Sequence, residues 1–442
     1  MPSPLIGLIC ILLMICLIYA GMPIAVAMTS TSFLGVYLIK GNVAIAGKIL
    51  AFAAFDSLAT FTLAVVPLFV LMGMLVSLGG LAEDAFSTAK RVFRRIPGGV
   101  GIATVAANTL FAAITGVSLV SAAVFGKVAV PEMLRLGYQP RFSVGTVAGS
   151  SVLGMLIPPS VLLIFYAMLA EVSIGKMFIA GIVPGLILAS LFSVGILLAA
   201  SFFPRKVFKG GRDAGNQAEG AGGKRLAYQG VLNVAPIFLL VLLMLGGLYL
   251  GFFTPAESGA VGAMGALVLV LVRWRMTFGE FWRAVARTGQ LTANLGILLI
   301  GANIFTRMIT LTRLPSVLLD FIVENRFSLI GVVVAVVILQ IFLGMIMDAV
   351  SNMFVALPII IPVVKALNGD LIWFGIVTVI AAEVGLLTPP IGLSAFVIKS
   401  TLEEDSQISL GDVFRGSFPF LLIMILVIIL LILFPGLVYC PR

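Results

Sequence analysis

Residues 154–160 read Gly-Met-Leu-Ile-Pro-Pro-Ser, and residues 385–392 read Gly-Leu-Leu-Thr-Pro-Pro-Ile-Gly. Both lie inside long apolar segments, 142–170 and 371–399, each long enough for a membrane-crossing helix. Pro159 and Pro390 carry no backbone N–H, and each ring clashes with the carbonyl four residues earlier. The residue before a proline is also pushed away from helical geometry, so each Pro-Pro pair predicts a helix broken within the membrane. Gly154 and Gly385 let the chain turn or approach another backbone closely. Such a break exposes carbonyls on one side and N–H groups on the other. The carbonyl end suits a desolvated cation such as Na⁺, and the N–H end suits a carboxylate.

The two motifs belong to an internal repeat. A shift of 231 residues (154 to 385) also brings Phe111 onto Phe342 and Pro131 onto Pro362. Upstream of each motif an apolar stretch, 97–133 or 328–366, is interrupted near its middle, by Thr115–Ser121 in the first and Asp348–Asn352 in the second. Arg94 and Arg95 precede the first stretch, and Arg135 and Arg141 follow it. Both ends therefore face the cytoplasm, and the stretch reads as a re-entrant hairpin. Five spans, near 142–170, 177–203, 231–250, 256–272 and 289–310, separate the two units, and an odd number turns the second upside down. Inverted repeats with broken helices are the architecture of secondary transporters, whose sites lie at the repeat interface.

Composition excludes most other classes. Only 10% of the 442 residues are charged and 61% are hydrophobic. Mean hydropathy is +1.23. A soluble fold of this size needs about a quarter of its residues charged, so the class is an all-α polytopic membrane protein. There is no histidine and no nucleophile with an evident base, which leaves an intramembrane enzyme as a remote alternative. Three cysteines, Cys10, Cys16 and Cys440, make neither a disulfide framework nor a metal site. The net charge of +9 is read as cytoplasmic loops, not nucleic-acid binding. No Lys or Arg precedes the apolar run from Leu5 to Ala20, so it is expected to be a retained first helix, followed by spans near 22–39 and 50–80.

Polar side chains gather where the helices are interrupted. Ser118, Ser121, Ser150, Ser151, Ser160, Ser351 and Asn352 are the substrate-binding candidates. Thr115, Gly116, Ser118, Gly154, Pro158, Asp348, Gly385, Thr388, Pro389 and Gly392 are the Na⁺-site candidates, acting mostly through backbone carbonyls. A lone intramembrane carboxylate costs roughly 2.5–3.5 kcal/mol to insert and is rarely idle. Asp348 has three open roles: binding an ion, carrying a proton, or capping the hairpin tip. Glu383, just before the second break, is similar.

These residues resemble the large membrane subunit (M subunit) of the tripartite ATP-independent periplasmic (TRAP) transporters, over nearly the whole length. The likeness is carried by Gly21-Met22-Pro23, Asp56-Ser57, Val66–Phe69, Met72-Gly73, Pro131–Met133, Gly137-Tyr138 and the two Pro-Pro motifs, with Asp348, Pro358 and Pro362 in the second hairpin. One departure stands out. The family's first hairpin tip reads like Ser-Gly-Ser-Ser, whereas residues 115–118 here are Thr-Gly-Val-Ser, so position 117 offers no hydroxyl.

The resemblance implies sodium-driven uptake of organic acids (C4-dicarboxylates, sugar acids or sialic acid-like molecules) through the bacterial inner membrane. The partners implied are a small membrane subunit and a periplasmic substrate-binding protein. There is no cofactor beyond Na⁺ as the coupling ion, and no ATP; the phosphate-binding Gly-x-x-x-x-Gly-Lys-[Ser/Thr] pattern is absent. A stand-alone carboxylate/Na⁺ symporter of related fold is the alternative. The implied division is scaffold helices over 1–96, a first transport repeat with its following helix over 97–203, and a flexible cytoplasmic loop over 204–228. Scaffold helices and a connecting arm over 229–327, a second transport repeat over 328–399 and a C-terminal helix over 400–442 complete it, with the transport repeats moving as an elevator.

The basic clusters place 204–228 in the cytoplasm and both termini in the periplasm. A single cysteine replacing Gly215 in an otherwise cysteine-free chain is therefore expected to resist a membrane-impermeant maleimide in intact cells and to react once the membrane is opened. Labelling in intact cells would reverse this topology.

Overall fold

The structure is a computed structural model, and it describes residues 2–210, 224–273, 276–402 and 408–439, the side chains of 61–62 and 224–233 excepted. Residues 211–223 of the expected loop lie outside the described residues. Among the described residues the chain is helical, without a strand.

The first half runs α1 (Ser3–Tyr19), α2 (Ile24–Lys40), α3 (Val43–Ala59), α4 (Val65–Leu78) and α5 (Leu81–Phe93). The first hairpin follows as α6 (Gly99–Thr115) and α7 (Ser118–Arg135). The first broken helix is α8 (Pro140–Ser151) with α9 (Leu153–Leu156) and α10 (Val161–Ala170), its two arms bent by 42°. Next come α11 (Ile174–Phe202) and the short α12 (Pro204–Val207). The second half runs α13 (Lys224–Tyr249), α14 (Pro255–Val272), α15 (Phe278–Thr312) and α16 (Leu314–Glu324). The second hairpin is α17 (Leu329–Gly344) and α18 (Ala349–Ala366), the second broken helix is α19 (Leu371–Leu387) and α20 (Leu393–Thr401), and α21 (Leu410–Leu433) closes the chain.

The repeat is wider than the two motifs. The same shift of 231 residues carries α7 onto α18 (118 to 349), α8 onto the start of α19 (140 to 371), and α2 onto α14 (24 to 255). One element departs from the duplication. The span expected near 50–80 is two helices, α3 and α4, whereas the corresponding stretch of the second half is the single 35-residue α15. Pro67 accounts for the difference. It has no N–H for the carbonyl of Leu63 and its ring blocks helical approach there, while the matching position is Leu298. Pro67 is tolerated because it falls in the first turn of α4. The first seven residues of the expected flexible loop are also held in place. Gln139 N–H donates to the Val207 carbonyl at 2.8 Å and Lys209 N–H to that of Gly137 at 2.8 Å.

Burial separates two kinds of helix. Every residue from Ser143 to Ser151 and from Trp373 to Leu387 is buried, so over these stretches α8 and α19, the first arms of the two broken helices, are enclosed by protein on all sides. By contrast α1, α3, α13 and α14 present Leu12, Phe52, Phe55, Leu242 and Met264 outward, as lipid-facing helices do. The enclosed helices pack at backbone distance. A Cβ on Gly145 would lie 2.1 Å from the Gly416 carbonyl oxygen, and one on Gly385 would lie 2.6 Å from the Gly344 Cα. Close approach through small residues is the way helices associate without a hydrophobic driving force. Between the two kinds of helix, Gly73 of α4 meets Thr115 of α6 in the same manner.

Ion pairs collect at helix ends. Glu132 accepts from Lys90 at 2.5 Å and from Arg135 at 2.9 Å, Arg141 pairs with Asp412 at 2.6 Å, and Asp84 pairs with Arg273. Asp56 pairs with Arg307.

Because Gly145 and Gly416 touch through backbone, Gly145→Val has no side chain to displace and must separate α8 from α21. Overpacking of this kind costs about 1–3 kcal/mol. The expected outcome is a clearly lowered thermal midpoint of the detergent-solubilised protein, with Gly47→Val, where nothing lies within 4 Å, unchanged.

Candidate functional site

The site is built from two breaks, the first of them covered by a hairpin tip. In the first, Pro158 and Pro159 remove the N–H groups that would bond the carbonyls of Gly154 and Met155. Ser160 repairs one of the two: its Oγ donates to the Met155 carbonyl at 2.5 Å while accepting the Leu163 N–H at 3.3 Å as the N-cap of α10. The hairpin tip closes over this break. Gly116 sits at φ +62°, where a side chain would be strained and its Cβ would meet the Pro159 oxygen at 2.4 Å. The Gly116 carbonyl accepts the Val161 N–H at 3.1 Å. Gly154 faces the start of α7: a Cβ there would stand 3.2 Å from the Ser118 nitrogen and 3.2 Å from Ser121 Oγ.

The second break is made by Pro389 and Pro390, which deprive the carbonyls of Gly385 and Leu386. Gly385 still accepts the Thr388 N–H at 2.9 Å, and Thr388 Oγ1 donates to the Val384 carbonyl at 2.6 Å. Ile391 occupies the position matching Ser160, so no hydroxyl is available there for Leu386. Both Pro-Pro bonds are cis, and Gly392 takes φ +59° as α20 begins. The first break is fully buried, whereas Pro389, Pro390 and Ile391 are exposed.

The tip of the second hairpin resolves one open role. Asp348 is the N-cap of α18, accepting from Val350 N–H at 3.0 Å and Ser351 N–H at 3.1 Å, with Ser351 Oγ also donating to its carboxylate. The matching position in the first hairpin is Val117, which caps nothing. The start of α7 instead meets a carboxylate from the other repeat. Ser118 Oγ donates to Glu383 Oε1 at 3.2 Å, across 265 residues of sequence.

The remaining candidates divide into two groups. Ser150 accepts from Asn108 Nδ2 at 2.6 Å, Ser151 donates to the Ala148 carbonyl at 2.8 Å and Thr115 donates to the Phe111 carbonyl at 3.0 Å. These three line the interior of the first repeat. Asn352 donates to the Gln340 carbonyl at 2.8 Å, leaving Asn352 Oδ1 buried without a partner. Ser121 Oγ, Ser394 Oγ and Glu383 Oε2 are likewise buried and unpartnered. A native interior leaves few such oxygens, and a bound ion or water is the usual explanation.

Of Glu383, Asn108 and Gln340, the sequence singles out only Glu383, as a carboxylate similar to Asp348. Glu383 is legible in the sequence as the lone carboxylate in 371–387, and the repeat marks it further because its counterpart is Val152. Asn108 and Gln340 carry no comparable signal, since one amide in an apolar helix is more often packing than function. A further cavity of about 540 Å³ lies between Thr60, Val65, Thr254 and Asn303 on one side and Met168, Glu171 and Ser173 on the other. The break between α3 and α4 opens onto it.

Residues 11–437 match the family model described as Tripartite ATP-independent periplasmic transporter, DctM component. The chain is 32% identical over 393 residues to the C4-dicarboxylate TRAP transporter large permease protein DctM of Pseudomonas aeruginosa, covering 88% of this chain and 87% of that one. It is 28% identical over 423 residues to the sialic acid TRAP transporter large permease protein SiaM of Vibrio cholerae, covering 95% and 94%. In fold it is similar to the YdaH transporter of Alcanivorax borkumensis, at TM-score 0.59 and 14% identity over 89% of each chain. With inverted broken hairpins, membrane-length apolar helices and a family match over almost its whole length, this chain belongs to the TRAP transporter large permease (DctM) family, as a multi-pass membrane permease subunit and not an enzyme.

Proposed function

We propose that the chain forms the translocation path of a sodium-driven uptake system for small organic acids, fed by a periplasmic binding protein and completed by a small membrane subunit. The observation that supports it most directly is the set of buried, unpartnered acceptor oxygens of Glu383, Ser121 and Asn352 on the elements that meet at the breaks. Glu383 is fully buried, takes one hydrogen bond from a neutral hydroxyl and pairs with no Lys or Arg among the described residues. A buried carboxyl in that state is either protonated or balanced by a counter-charge, and a bare cation supplies the latter. Carbonyls freed by Pro158, Pro159, Pro389 and Pro390 suit the same ion, and hydroxyls that donate inward, such as Thr388, leave lone pairs free for it.

On this reading the cation neutralises the Glu383–Ser118 junction, so that the N-terminal ends of α7, α10 and α20 attract a substrate carboxylate only once the ion is in place. That order couples the two cargoes. Relatives named for a C4-dicarboxylate and for sialic acid support small organic acids as the substrate class. The enclosed helices, as one compact unit, then travel past the lipid-facing helices as an elevator, with both termini periplasmic and the membrane the bacterial inner membrane.

Transport by the purified chain and its small subunit in proteoliposomes tests the whole reading. Uptake is expected to require both an inward Na⁺ gradient and added binding protein. Uptake without binding protein would make the chain a stand-alone symporter. Within this assay Thr388→Val keeps shape and removes one oxygen, and a hydrogen-bond-sized loss of about 1 kcal/mol predicts a roughly fivefold higher Na⁺ concentration for half-maximal uptake. Glu383→Gln, which removes a charge, is expected to raise it more than tenfold with the thermal midpoint nearly unchanged. Unaltered sodium dependence in both variants would leave these residues structural.

A further inference from the structure

A second cavity, of about 660 Å³, lies far from the breaks, where α8, α11, α12 and α21 end together. Its walls are apolar, with Phe142, Phe192, Ile196 and Phe420 among them, and its rim is cationic, with Arg141, Arg205, Lys206 and Arg415. Among the described residues no Asp or Glu lines it. Two of the four cations are occupied: Arg141 pairs with Asp412, and Lys206 lies over the Phe203 ring at 5.3 Å. Arg205 and Arg415 are exposed and have no carboxylate partner among the described residues. Pro419 adds a feature to the same rim, because its missing N–H leaves the Arg415 carbonyl without the donor of a regular helix.

The flanks of the cavity show what kind of molecule fits. Leu186, Val194, Leu198 and Phe202 of α11 and Phe418 and Leu422 of α21 are exposed apolar side chains on helices of membrane-spanning length. The groove therefore runs from a hydrocarbon-facing surface into a cluster of positive charge, in which Arg205 and Arg415 have no carboxylate partner among the described residues, at the end the basic residues mark as cytoplasmic. A soluble anion has no use for the apolar walls, and an uncharged lipid has none for the four cations. Basic pockets between membrane helices at this depth are suited to anionic lipid headgroups.

We propose that this groove is a binding site for an anionic glycerophospholipid of the phosphatidylglycerol type. Its phosphate lies against Arg205 and Arg415, a headgroup hydroxyl donates to the Arg415 carbonyl, and its acyl chains run along α11 and α21. Because the groove joins both ends of the enclosed helices' support (α8 and α21 meet at Gly145 and Gly416), the lipid fastens this end of that unit to the inner leaflet. The proposal is independent of the coupling ion and the substrate.

The test is the thermal midpoint of the full chain in detergent micelles doped with phosphatidylglycerol, with phosphatidylcholine, or with glycerol phosphate alone. Phosphatidylglycerol is expected to raise the midpoint, and the other two to leave it in place. The double variant Arg205→Gln/Arg415→Gln is expected to need at least tenfold more phosphatidylglycerol for the same rise, with its lipid-free midpoint unaltered because neither side chain has a carboxylate partner among the described residues. The control Arg283→Gln/Arg287→Gln, exposed on α15, removes the same charge elsewhere and is expected to behave as the parent. Equal stabilisation by phosphatidylcholine, equal stabilisation by the headgroup alone, or an undiminished phosphatidylglycerol response in the groove variant would each overturn the assignment.

Discussion

A peptide group inside a membrane finds no water, so every N–H and C=O that a helix releases must be met by protein or by cargo. The structure is organised around the few places where that rule is put under load, the carbonyls released by Pro158-Pro159 and Pro389-Pro390. At the first, the repair is complete enough to bury: Ser160 takes the Met155 carbonyl, and Gly116 accepts from Val161 so that the hairpin tip seals the break. The enclosed position of the broken helices follows from this. A helix with a gap in its bonding cannot face lipid, and α8 and α19 are covered by the hairpins and by α11 and α21.

Covering a helix on every side demands close approach, which explains where glycine is needed. Gly145 against Gly416 and Gly344 against Gly385 are contacts of backbone with backbone. A side chain at any of these positions would push the two packed helices apart. Gly116 combines the same demand with a left-handed turn that a larger residue resists. On the lipid-facing helices some glycines are free of this constraint: Gly47 and Gly246 have open space around them.

The duplication keeps the order of hairpins and broken helices but not their chemistry, and the site grows out of the differences. Asp348 caps its own hairpin helix, while Val117 cannot, and the hydroxyl beside it reaches Glu383 of the opposite repeat. Both intramembrane carboxylates thus come from the second repeat, and the serine-rich surface comes from the first. Ser160 repairs the first break and Ile391 leaves the second open, which agrees with the burial of one and the exposure of the other. An inverted pair of identical units would give two equal sites. Unequal residues at matching positions let one junction hold charge and the other hold structure.

The sequence by itself determined the class, the repeat and the two breaks, because each rests on local covalent facts: hydropathy along the chain, a proline with no N–H, and a fixed spacing between prolines. It located the hairpin tips for the same reason. It did not separate α3 from α4, since one proline in an apolar run reads as easily as a kink within a span; only its position in the first turn of a second helix shows a break. Nor did it join Ser118 to Glu383, Asn108 to Ser150, or Arg205 to Arg415. Those pairs are separated by 265, 42 and 210 residues, and nothing in the local pattern of an apolar helix records which of its faces meets which neighbour. Tertiary packing decided them, because in a bundle held by backbone contact the approach of one glycine to another fixes which polar groups are left facing each other.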